Sequence, residues 1–268
     1  MRPGELRPAP PRTLLVPAGL ALGLLVLPLV ALLVRADWAN LPADVTSEAA
    51  RSALTLSLTT ATAATALCLV LGLPLAVLLA RADGRVGDLL RALVTLPLVL
   101  PPTVGGIALL FLLGRRGLIG EHLGLLGISI PFTTTAVVLA QAFVALPFLV
   151  LGVEGALRSV GARYEAVAAG LGAGRWRVLA RITVPLVAPG LLASTVLTFA
   201  RALGEFGATA LFAGNVPGVT RTMPMAIYTA FAGAGGDTGA AVALALLLVA
   251  AAIAVLLVAR AWRPGRAA

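Results

Sequence analysis

Apolar residues run in six long stretches, at about 13–34, 52–80, 89–114, 132–157, 186–212 and 240–259. Short segments rich in arginine, acids, glycine and proline separate them. Each stretch reaches the length, about 20 residues, at which an α-helix crosses about 30 Å of hydrocarbon. The pattern predicts an all-α polytopic membrane protein with six transmembrane helices, a single domain over 1–268. The first stretch exceeds a signal-peptide core and is read as a retained span.

The longest polar interval, 158–185, does not read as a linker. Residues 165–171 favour helix, 172–174 supply a stop with a residue that tolerates left-handed backbone, and 175–184 can form a second helix. Two short helices at an angle are expected. Ala166, Ala168, Ala169, Gly170, Gly172 and Ala173 leave the first nearly bare, so it can enter a partner's groove. The same chemistry also suits an amphipathic hairpin lying on lipid, its arginines on phosphates.

Within the third stretch, Pro97, Pro101 and Pro102 delete amide donors and clash with preceding carbonyls, so a continuous helix is not expected. A half-helix restarting after Pro102 leaves the amides of Thr103 to Gly106 free at a positive helix end, a surface suited to an anion. A packing kink without ligand contact is the other reading. In the fifth stretch Arg201 and Glu205 are four apart and share a helical face, so they are expected to pair. They either line a transport path or form a structural ion pair.

Composition sharpens this picture. Hydrophobic residues make up 60% of the chain and charged ones 12%, half the share usual in soluble domains. All twenty basic residues are arginine. They mark the ends of apolar runs instead of gathering on one soluble module, which argues against nucleic-acid binding. Fourteen fall in segments 1–12, 81–91, 158–181 and 260–266, and five in the alternate connections (Arg35, Arg51, Arg115, Arg116, Arg221). That bias places both termini in the cytoplasm, with the chain in the cell inner (plasma) membrane. Cys68 is alone, so no intrachain disulfide forms, and His122 has no companion ligands for a metal. No cofactor, metal or catalytic residue is expected. A chain without lysine cannot supply the phosphate-binding loop of an ATPase.

Two stretches resemble a known family. Gly172, nine intervening residues, then Ile182, Val184 and Pro185 resemble the loop of ABC importer permeases in which Glu-Ala-Ala precedes a glycine and Ile-x-Leu-Pro follows. Here the Glu-Ala-Ala positions hold Ala166, Val167 and Ala168, with an acid one place earlier at Glu165, and valine replaces the leucine. The segment from Gly204-Glu-Phe-Gly to Gly214-Asn-x-Pro-Gly, and the segment from Leu96 to Gly106, resemble those of molybdate-type oxyanion permeases.

The resemblance implies the type I ABC importer permease (MetI-like) fold and a coupling helix docked on a separate ATPase. Its contacts then fall on Tyr164, Glu165, Ala168, Ala169, Leu171, Gly172, Ala173 and Pro185. It further implies two ATPase subunits, a second copy of this chain, and a periplasmic or extracellular oxyanion-binding protein that selects the solute. Molybdate or tungstate is the expected solute, with sulfate or thiosulfate as the alternative. Thr103, Gly105, Gly106, Glu205, Gly207 and Thr209 are candidates for the translocation path. No acidic ring for a cation is evident, and the spans hold no paired aspartates or clustered histidines for a membrane enzyme. No internal repeat favours a secondary transporter. Only eight residues follow Arg260, so an added cytoplasmic regulatory domain is not expected.

Overall fold

The computed structural model describes residues 11–161, 163–233 and 236–261. Four of the arginines used above for orientation, Arg2, Arg7, Arg263 and Arg266, lie outside the described residues. Its helices in chain order are α1 (Leu15–Arg35), α2 (Leu41–Thr46), α3 (Glu48–Arg81), α4 (Gly84–Val99), α5 (Pro102–Leu113), α6 (Gly120–Leu125) and α7 (Thr134–Val160). Then follow α8 (Arg163–Gly170), α9 (Arg175–Val178), a π turn at Leu179–Thr183, α10 (Val184–Leu203), α11 (Gly207–Phe212), α12 (Met223–Ala232) and α13 (Thr238–Ala261). Among the described residues five helical runs are long and apolar enough to cross a membrane, and the bent pair α4 and α5 supplies a sixth.

The third apolar stretch is two helices meeting at 111°. Its break follows from the prolines: a residue before proline is pushed out of the α region, and Leu100 and Pro101, each preceding one, are both extended (ψ 136° and 135°). The restart comes at Pro102 itself, one residue earlier than the sequence suggested. Val104 and Gly105 therefore both donate to the Pro101 carbonyl, at 2.9 and 3.3 Å, and the expected row of free amides shortens to its first member, Thr103.

The fifth stretch also differs. Its helix stops at Leu203, capped by Gly204, and residues 207–212 form the separate α11, which lies on α5 and α7. The glycine-rich stretch beyond it contains the expected turn, with Gly214 and Gly218 left-handed at φ 76° and 71°. It then forms α12, started by Pro224 in its first turn, where a missing amide costs nothing.

The core is the contact of α3, α7 and α10, packed through small residues such as Ala61, Ala64 and Cys68 on α3 and Ala142 and Ala145 on α7. In lipid, where apolar burial drives association weakly, small residues let backbones approach and gain dispersion and packing. α7 and α10 illustrate this. A Cβ on Gly152 would fall onto the Ser194 hydroxyl, and one on Gly190 would stand 2.5 Å from the Ala156 methyl. Gly190→Ala is therefore expected to destabilise the bundle by about 1–3 kcal/mol through overpacking. Thermal unfolding in detergent measures this, and Ala156→Gly in the same chain should restore most of the loss. Failure of that rescue would remove the helix contact as the cause.

Candidate functional site

The segment joining α7 to α10 folds as two helical pieces. Gly172, at φ 84°, takes the left-handed conformation that ends α8. Its amide donates to the Ala169 carbonyl and that of Ala173 to Ala168, both at 3.0 Å, a paired closure that satisfies orphan carbonyls at the helix end. Ala168, Gly172 and Ala173 thus make the stop itself, with Ala168 8% exposed.

From Arg175 the backbone is helical without interruption to Leu203. In a regular helix the ring of Pro185 would press on the carbonyl four residues back, that of Arg181. The π turn Leu179–Thr183 lies there and widens the helix.

Tyr164 and Val167 on α8 and Leu171 just past its end, spaced i, i+3 and i+7, form an exposed apolar stripe; Leu171 is 85% exposed. Together with Arg181, Ile182 and Pro185 they line an open groove of about 770 Å³. Ala169 is exposed as well. Val167 belongs with this stripe although it was not among the docking contacts expected from the sequence, where its helical spacing from Tyr164 and Leu171 was the available signal.

Glu165 points the other way. Its Oε1 accepts the Thr183 hydroxyl at 2.6 Å, and its Oε2 pairs with Arg81 at 3.1 Å. One carboxylate thereby ties α8 to the π turn and to the end of α3. Thr183 is 4% exposed, so the bond to it is sheltered.

A second cluster braces the same end of the bundle. Glu154, 6% exposed, accepts from Arg91 at 2.7 Å and from Arg158 at 3.0 Å. Both arginines also donate to the Leu79 carbonyl, which accepts the Ala82 amide as well, and Arg91 donates to the Ala82 carbonyl just past the C-terminus of α3. Arg91 lies 63 residues from Glu154, and Leu79 lies 79 from Arg158, so the sequence showed the acid and its neighbour Arg158 without the cage.

The other candidate residues gather where α5 and α11 begin. A Cβ on Gly207 would stand 2.9 Å from the Pro102 Cβ, and one on Gly106 would stand 2.7 Å from the Ala208 carbonyl oxygen. Gly105 faces the Phe143 ring. Glu205, 1% exposed, pairs with Arg201 at 2.7 Å and accepts the Ala208 amide at 2.8 Å, so the positive end of α11 already meets a carboxylate. Thr103 is exposed. Thr209 is fully buried, and its hydroxyl, like both amide atoms of buried Gln141, has no hydrogen-bond partner among the described residues.

Residues 72–266 match the family described as the binding-protein-dependent transport system inner membrane component. The chain is 53% identical over 247 residues to the molybdenum transport system permease protein ModB of Mycobacterium tuberculosis, covering 92% of each. Against ModB of Escherichia coli strain K12 it is 45% identical over 206 residues, 76% of this chain and 90% of that one. Among solved structures it resembles a bacterial ABC transporter involved in the import of the acidic polysaccharide alginate (TM-score 0.68, 19% identity, 92% of each chain). It also resembles inward-facing MetNI, a methionine ABC transporter (TM-score 0.62, 19% identity, 80% of this chain and 96% of that one). The bent fourth and fifth helices, the elbow before α10 and the six apolar runs are thus those of a MetI-like permease, and the chain belongs to the binding-protein-dependent transport system inner membrane component family.

Proposed function

We propose that this chain is the membrane-spanning subunit of an ATP-driven importer of molybdate. The observation that carries this reading is the 53% identity, over 92% of both chains, to a permease named for molybdenum transport. The fold agrees with it: the elbow at 163–178 presents a bare apolar stripe and nothing in the chain can hydrolyse ATP, so the motor is a separate polypeptide.

Two ATPase subunits dock on two copies of this chain, each in the groove beside Tyr164, Val167, Leu171 and Pro185. An external binding protein delivers the oxyanion. The loop faces the cytoplasm, as do both termini, and the protein lies in the cell inner membrane; Arg81, Arg91 and Arg158 sit at the loop's end of the bundle, as the inside excess of arginine requires. Nucleotide-driven approach of the ATPases moves α8, and the unbroken helix from Arg175 to Leu203 carries that movement into the membrane.

At the junction of α5 and α11, Thr103 is the candidate open to a passing solute. Gly105, Gly106 and Gly207 allow the close packing, while Glu205 and Thr209 lie behind it. Neutral donors at a helix start suit a tetrahedral oxyanion, which needs hydrogen bonds without tight capture.

The test is reconstitution of the chain with its ATPase and binding protein in proteoliposomes. Molybdate-loaded binding protein is expected to stimulate ATP hydrolysis and drive labelled molybdate inward. Stimulation by sulfate-loaded protein alone, or uptake without ATP, would overturn the reading.

A further inference from the structure

Beside the elbow lies a cavity of about 400 Å³, of whose lining only Thr183 enters the transport reading, through its bond to Glu165. α3 lines it with Pro74, Val77 and Leu78, and the coupling segment lines it with Trp176, Leu179 and Val184. The wall is apolar, and the cavity opens outward at Leu78 and Trp176, which are 64% and 84% exposed.

Its rim has the opposite character. Arg81 follows Val77 by four residues and Leu78 by three, and Arg175 precedes Leu179 by four. Helical spacing sets both arginines on the cavity's face, about one turn beyond the apolar lining toward the elbow. Arg175 is exposed, and more than half of the Arg81 side chain is exposed despite its bond to Glu165. Trp176 stands between apolar wall and cationic rim, the level at which indoles sit in a bilayer.

The rim carries two guanidinium groups against the one carboxylate of Glu165, which Arg81 shares, so an apolar slot with a net positive end complements an amphiphile with one anionic head. We propose that the cavity binds one anionic phospholipid, an acyl chain lying between α3 and the start of α10 and its phosphate between Arg81 and Arg175. A zwitterionic lipid brings the same chain, but its ammonium offsets the attraction at the rim. Binding itself does not depend on what the protein transports.

The experiment uses the full chain in phosphatidylcholine nanodiscs, with Trp38→Phe and Trp262→Phe leaving Trp176 as the single indole. Brominated phosphatidylglycerol at low mole fraction is expected to quench Trp176 about fivefold more effectively than brominated phosphatidylcholine, and Arg175→Gln should abolish that preference. Val184→Phe, which fills the cavity, should remove the anionic preference with the arginines intact. Retention of phosphatidylglycerol by the unmodified chain in native mass spectrometry is expected in parallel and guards against loss of folding in the variants. Equal quenching by both lipids overturns the proposal, since it marks only the lipid annulus. Loss of quenching on adding the ATPase also overturns it, because the surface then belongs to that protein.

Discussion

Leu171→Asp is expected to abolish ATP-driven uptake by separating the permease from its motor. Leu171 is 85% exposed at the end of α8 and continues the stripe of Tyr164 and Val167, so the substitution costs the isolated chain little. In the proposed assembly with the ATPase the same position is desolvated. Truncating a central apolar anchor costs about 2–4 kcal/mol, and burying an unpaired carboxylate adds to that. Affinity should fall by about 30-fold to 1,000-fold. Pull-down of the ATPase with the detergent-solubilised chain measures it, with membrane yield and melting temperature as controls. Retained copurification together with normal uptake would place the docking surface elsewhere.

The contrast between Leu171 and its neighbours shows what the sequence could and could not convey. Spans such as α3, α7 and α13 are legible because crossing a membrane demands only a local run of apolar residues. The break at Pro101 and Pro102 is legible for a similar reason, since a proline constrains its own backbone and that of the residue before it. The left-handed stop at Gly172 follows from local chemistry too. By contrast, α11 exists because Glu205 reaches forward to the Ala208 amide while pairing with Arg201, and because α5 and α7 receive it. That outcome depends on elements far apart in the chain.

The glycines teach the same lesson. At Gly105 and Gly106 the sequence allowed either contact with an anion or close helix packing. Neighbours remote in sequence, Phe143 and Ala208, fill the space where a side chain would stand. For Glu165 the identity was legible in the chain, and the direction of its side chain was not. Only the juxtaposition of α8 with the π turn, itself a response to Pro185, decides that the carboxylate faces Thr183.

That direction separates the two jobs proposed for this loop, docking and transmission, and Glu165 tests the second. Glu165→Ala is expected to leave ATPase copurification near normal while lowering hydrolysis stimulated by loaded binding protein at least tenfold. The bond from Thr183 to the carboxylate is charge-assisted and sheltered, worth about 1.5–3 kcal/mol. The Arg81 pair contributes less, because that side chain is 58% exposed and solvent screens it. Losing 1.5–3 kcal/mol shifts the population in which α8 moves with the π turn by about 10-fold to 150-fold. Glu165→Gln keeps an acceptor for Thr183 and should retain most of the stimulation. Thr183→Val should match Glu165→Ala, and the double variant should be no worse than either alone, since both remove one tie. If Glu165→Ala instead loses the ATPase as completely as Leu171→Asp, the carboxylate serves the docking surface and the transmission role is lost.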